Sequence, residues 1–210
     1  MKNLSNNFPS FPSTRLRRVR SSYFSKLITS ENNLSVNDLI MPLFVTDGTE
    51  VIEEIKSMPG IYRYSLDTLM GHIDDIVNLE ISAIALFPKI DVSLKDSLGS
   101  LALDPDNLIC RAVRKIKSAY PDLGVICDVA LDPYTDHGHD GLLVDGIVDN
   151  DKTVNALTKQ AIVQAEAGCD AVAPSDMMDG RVAAIRIALD DKGYQSTQIL
   201  SLIHISEPTR

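Results

Sequence analysis

The chain has 210 residues, 44% hydrophobic and 23% charged, enough for one well-cored globular domain. No apolar run approaches the roughly 20 residues of a membrane-spanning helix, and the N-terminus lacks a secretory apolar core, so a cytoplasmic protein without a membrane partner is expected. The net charge of −9 is uneven: residues 1–30 hold six basic side chains and no acid, and the rest carries 14 basic and 29 acidic residues, a net −15, which argues against nucleic acid as a partner.

The basic start, with Arg15, Arg17, Arg18, Arg20 and Lys26, is acid-poor and serine-rich like a transit peptide. Phe8, Phe11, Tyr23 and Phe24 point instead to an arm that packs on something, and residues 1–35 are expected to be that arm.

From residue 36 on, apolar runs alternate with amphipathic segments. The runs are Leu39–Val45, Ala83–Phe87, Val125–Ala130, Ala171–Ala173 and Gln198–Leu200. They are continuous rather than alternating, as parallel strands covered on both faces should be. Between them, Ser65 is placed to cap a helix with Leu66, Leu69, Met70, Ile73, Ile76 and Val77 on its inner face. A second helix runs from about Asn107 and stops before Pro121. A third starts near Asp151 and ends at Gly168. A fourth runs from Asp179, as its cap, to about Lys192, with Val182, Ile185 and Leu189 inward.

Strand and helix alternating four times, ending on a fifth strand, predicts an α/β fold. No glycine-rich phosphate loop follows any strand. The alternative closure, a (β/α)8 barrel, takes eight strands in about 250 residues, so this chain would hold its first five strands and four helices.

Cys110, Cys127 and Cys169 are isolated, with no C-x-x-C pair; a reducing compartment and buried thiols are expected.

The chemistry concentrates in CDVALDPYTDHGHDG, residues 127–141. It reads as a strand that breaks at Pro133 into a loop bearing Asp128, Asp132, Tyr134, Asp136, His137, His139 and Asp140. The C-terminal end of a buried strand is where α/β barrels keep their active sites. Asp128, at the strand end, needs a partner for its carboxylate. The histidines suit a hydrogen-bonded turn better than a metal site. Ser175 and Asp176 follow the fourth strand directly and fall on the same face. Ser175 is suited to hydrogen-bond a substrate, Asp176 to orient a cationic group, and Arg181 to pair with a carboxylate.

Several stretches together resemble the porphobilinogen synthase (δ-aminolevulinate dehydratase) family. They are TRLRRVR at 14–20, LSVNDLIMPLFVTDG at 34–48, SMPGIYRYSLD at 57–67, ALFPKI at 85–90, LDPDNLICRAVRKIK at 103–117 and AEAGCDAVAPSDMMDGRVAAIR at 165–186, with the 127–141 stretch itself. The resemblance spans residues 12–201. It implies a (β/α)8 TIM barrel at 36–201, preceded by an N-terminal arm at 1–35 that embraces a neighbouring subunit of a homo-octamer. The implied reaction condenses two 5-aminolevulinate molecules into porphobilinogen with loss of two waters, in tetrapyrrole and haem biosynthesis. Two lysines serve as Schiff-base nucleophiles in the family, and Asp128, Ser175 and Asp176 would be the catalytic residues of the part present here. Asp132, Tyr134, His137 and Asp140 would form the substrate or metal loop.

Zinc-dependent members carry three cysteines on this loop, where this chain has Ala130, Asp132 and Asp140. Thiolates select Zn²⁺ and carboxylates suit Mg²⁺. A catalytic Zn²⁺ is therefore not expected; Asp132 and Asp140 are the candidate metal ligands, and a regulatory Mg²⁺ site is expected in a later part of the family's sequence. The family's Ser-Tyr-x-x-Lys begins to match at Ser201 and then stops, with Ile205 near the place of the first nucleophile. Residues 202–210 resemble a translated sequencing adaptor and are expected to be non-native, which would make this chain an inactive fragment that aggregates or stays molten. Two other readings fit the residues: a Mg²⁺-dependent aldolase-like barrel enzyme, supported by the Asp/His loop alone, and a non-catalytic fragment that binds full-length subunits through its arm.

Overall fold

Each of the five apolar runs forms a strand of one sheet in the computed structural model, which describes residues 11–201. Phe8, Ile205 and the tail from 202 lie outside the described residues. The chain divides into two compact units, Met1–Ser35 and Val36–Arg210.

In the first unit, a 3-10 turn at Leu16–Arg20 leads into α1 (Tyr23–Ile28), a short helix with no buried residue. Phe11, Tyr23 and Phe24 are 75%, 77% and 67% exposed. The Arg15 guanidinium lies 4.5 Å over the Phe11 ring.

The second unit opens with β1 (Ile40–Thr46), followed by β2 (Ile52–Glu54), β3 (Tyr62–Tyr64), α2 (Leu66–Asn78), β4 (Ala83–Lys89), α3 (Leu108–Ala119) and β5 (Gly124–Val129). Then come β6 (Leu143–Val144), β7 (Ile147–Val148), α4 (Asn150–Ala167), β8 (Ala171–Pro174), α5 (Arg181–Asp191) and β9 (Gln198–Ile199). The sheet order is β2-β3-β1-β4-β5-β8-β9, with β1, β4, β5, β8 and β9 all parallel. Five parallel strands with α2 to α5 between them are a partial (β/α) barrel. The described sheet is not closed, and β2 and β9 are its edges.

Period-two alternation sorts the strand side chains. Ile84, Leu86, Val125, Cys127, Val129 and Val172 are fully buried in the core with the helices. Ala85, Phe87, Ile126, Asp128 and Ala173 face the other way and line a cavity. All three cysteines are free and buried, and burial pushes the Cys110 thiol up to about 11.

The helix ends follow their sequence signals, with three corrections. Asn107 caps α3 by accepting from the Cys110 N–H at 3.0 Å, and Gly168 closes α4 in the left-handed region at φ 102°. Ser65 stands at the cap position of α2, but its hydroxyl serves the preceding loop: it accepts from the Val51 N–H and donates to Asp67. Asp179 does not cap α5, which begins after Gly180 with no side-chain cap. Val77 and Val182, expected inward, are 38% and 39% exposed, because α2 and α5 bury narrower stripes, Leu69, Ile73 and Ile76 in one and Ile185 and Leu189 in the other.

Two hairpins were not anticipated. β2–β3 turns around Pro59-Gly60 and pairs antiparallel before β3 joins β1. β6–β7 turns on Asp145-Gly146, both at positive φ, the conformation a two-residue hairpin requires.

Candidate active site

The C-terminal ends of β4, β5, β8 and β9 surround a cavity of about 520 Å³. Its polar lining comes from Asp128 on β5, Ser175, Asp176, Asp179 and Arg181 after β8, and Ser201 after β9; Phe87, Ile126 and Pro174 supply apolar wall.

Asp128 and Ser175 are brought together. The Ser175 hydroxyl donates to Asp128 Oδ1 at 2.6 Å, across adjacent parallel strands. Burial pushes the Asp128 carboxyl up to about 6; the Ser175 hydrogen bond opposes this, and the charges of Asp132 and Asp176 add to it. Desolvation wins because the carboxylate would be stabilised by water it cannot reach.

Asp176 is 1% exposed. Its Oδ2 accepts from the Met178 N–H at 2.7 Å, and its Oδ1 lies 2.9 Å from Arg181 Nε. That second contact is a charge pair whose N–H is not aimed along the line. Arg181 Nη1 also donates to the Met178 carbonyl at 2.8 Å. The turn after β8 is thus wound around one buried ion pair. From α4, Asn150 adds a clasp: its Oδ1 accepts from the Asp179 N–H and its Nδ2 donates to the Asp179 carbonyl.

The loop after β5 is only partly in the site. Asp140 is half-buried, and its carboxyl is pushed up to about 6 by burial and by the charges of Asp132, Asp176 and Asp128, against Arg181. Asp132 is raised by partial burial and drawn down by Lys95. Four carboxylates and one guanidinium therefore share a field. Tyr134 departs from expectation: it is 2% exposed and belongs to the core cluster, not the cavity lining. Its carbonyl accepts from the Asp96 N–H, and Thr135 bridges to Asp96, so the residue pins this loop to the β4–α3 loop. His137 is also outside the cavity lining; its Nδ1 accepts from the His139 N–H at 3.1 Å, forming the turn that the sequence favoured over a metal site.

The donor chemistry of the loop is carboxylate, which suits a hard cation. Among the described residues, however, no group of three or more His, Cys, Asp or Glu is arranged to hold a metal ion. Asp132 and Asp140, the expected ligands, thus belong to no such group.

The sequence profile described as Delta-aminolevulinic acid dehydratase matches residues 13–203. The chain belongs to the delta-aminolevulinic acid dehydratase family. It is 54% identical over 187 residues to the dehydratase of Bradyrhizobium diazoefficiens, covering 89% of this chain and 53% of that one. The dehydratase of Chlamydia pneumoniae is 46% identical over 189 residues, 90% of this chain and 57% of its own. Among solved structures, delta-aminolevulinic acid dehydratase (porphobilinogen synthase) of Toxoplasma gondii, in complex with the reaction product porphobilinogen, superposes with a TM-score of 0.86 at 44% identity, over 90% of this chain and 54% of that one. The chain spans about half the length of the dehydratases it matches. Among the described residues, no helix is long and apolar enough to cross a membrane.

Sequence reasoning missed Asn150 and two buried glutamines of α4, Gln160 and Gln164. The signal was available for the glutamines: they share a helix face with Leu157, Ala161 and Ala165, where an amide needs a reason.

Proposed function

We propose that this chain forms one wall of a porphobilinogen synthase active site, in an enzyme that condenses two 5-aminolevulinate molecules with loss of two waters. The observation that carries the reading is the Asp128–Ser175 pair at the mouth of the β4–β5–β8–β9 cavity, in a chain of this family.

Asp128 acts as the proton acceptor. A carboxylate whose proton leaves at about 6 can take one from a substrate ammonium or carbon acid near neutral pH and return it later. Ser175 holds the acceptor oxygen in place and can turn to a substrate oxygen when one enters. Asp176, kept in position by Arg181 and the Met178 N–H, presents negative charge to a substrate or lysine ammonium. Among the described residues no lysine lines this cavity, so the amine nucleophile of the proposed reaction is assigned to none of them. We infer that the 210 residues do not turn over substrate by themselves.

The metal reading is zinc independence. Cys127, the one thiol of the 127–141 stretch, is buried in β5, and the loop beyond it offers carboxylates.

The test is a chimera in which residues 1–201 replace the matching half of the Bradyrhizobium diazoefficiens dehydratase. Pyrrole formation from 5-aminolevulinate is expected, with kcat falling at least about 100-fold in Asp128→Asn. Activity should survive zinc chelation; an absolute zinc requirement would contradict the metal reading.

A further inference from the structure

β5 ends where its hydrogen-bond ladder runs out. The Gly124 N–H donates to the Ser82 carbonyl, and the register runs from Ala83 opposite Gly124 to Leu86 opposite Cys127. Carried one step further, Asp128 stands opposite Phe87, and the next donor to its carbonyl belongs to residue 88. That residue is Pro88, which has no N–H.

Two amides of α4 fill the gap. Gln164 Nε2 donates to the Asp128 carbonyl at 2.8 Å, and Gln160 Nε2 donates to the Ala130 carbonyl at 3.1 Å. The spacing is a match of two repeats. Glutamines four apart stand about one helical turn, or ~6 Å, along α4. Carbonyls two apart on one strand edge stand about 6.6 Å along β5. Both side chains are 1% exposed, and each leaves its own Oε1 without a hydrogen-bond partner among the described residues. A leucine would fill either site without stranding an acceptor, so packing alone does not account for the amides.

We propose that Gln160 and Gln164 are positioning residues: they clamp the end of β5 and so fix Asp128 against Ser175 and set where the 131–140 loop departs. The functional weight of this rests on the reading of Asp128 as the proton acceptor; the clamp itself is a property of the chain and is measured without turnover.

Gln164→Met and Gln160→Met, made in the chimera, keep side-chain length and remove the donor. Backbone hydrogen exchange is read across β4, β5 and β8, and the Asp128 carboxyl carbon is followed by NMR through a pH titration, with Asp128→Asn assigning its signal. The groups that face this carboxyl, Asp132, Asp140, Asp176, Tyr134 and Cys127, are the same in both variants. In Gln164→Met, exchange at residues 128–131 should rise about fivefold or more, with β4 and the start of β5 within about twofold of the parent. The Asp128 midpoint should fall from about 6, because a loosened strand end admits water to the carboxyl. A rise spread evenly over the three strands, up to loss of the folded state, would make both glutamines ordinary core residues and overturn the proposal. So would unchanged exchange at 128–131 with an unmoved Asp128 midpoint. Neither result depends on whether the chimera is active, so a failed clamp and a failed catalytic reading are separable.

Discussion

At the residue scale, the site is governed by desolvated carboxylates that hold one another's protons. Asp128 titrates at about 6 in the folded chain and near 3.9 when unfolded. The folded state therefore binds more protons between those values, and this contribution to stability is lost as pH rises from about 4 through 6. Asp67, Asp91, Asp96 and Asp149 are shifted down by hydrogen bonds and act in the opposite sense, so the comparison must be internal. Relative to the parent, Asp128→Asn should gain stability on the order of 2 kcal/mol between pH 4 and pH 7, read from urea unfolding at both values. An equal pH dependence in parent and variant would mean that Asp128 is not desolvated. Of the residues that line the cavity, Asp128, Ser175 and Asp176 were legible because each sits directly at or after a strand end in a chemically costly type. The burial of Tyr134 was not legible, because sequence shows that a tyrosine lies on a loop, not that its ring turns back into the core.

At the scale of elements, the parallel strands and helices could be placed to within a residue or two, since continuous apolar runs and punctuating Pro and Gly report burial and ends directly. Gly168 illustrates how local that information is. Its φ of 102° disfavours any side chain, while a Cβ there would meet nothing within 4 Å. Gly168→Ala should therefore cost about 1 kcal/mol through backbone strain alone, measured by urea unfolding, and leave the fold unchanged. The β6–β7 hairpin was also readable, because Asp145-Gly146 between Leu-Val and Ile-Val is a strong two-residue turn signal that the longer-range strand pattern overshadowed. What could not be read was which polar side chains face inward. Gln160, Gln164 and Asn150 take their meaning from carbonyls and amides on other elements, and helical periodicity cannot show where those lie.

At the scale of the whole molecule, charge and exposed aromatics tell the two units apart. The first unit leaves Phe11, Tyr23 and Phe24 exposed beside Arg15, Arg17 and Arg18, while the second, residues 36–210, carries 14 basic and 28 acidic residues, a net −14. We propose that this arm docks on the acidic body of a neighbouring copy in a homo-oligomer. In the chimera, Arg17→Glu with Arg18→Glu should shift light-scattering mass to smaller species, more so at low salt; an unchanged mass would remove the arm's charge from the assembly. The partial barrel itself offers the Asp128 wall of a cavity ringed by β4, β5, β8 and β9. The measurement that bears most directly on its use is pyrrole formation from 5-aminolevulinate by the chimera and its Asp128→Asn variant. Porphobilinogen production by the parent and a kcat loss of at least about 100-fold in the variant are the expected result. A folded chimera that makes no porphobilinogen, or an Asp128→Asn enzyme as fast as its parent, would contradict the account.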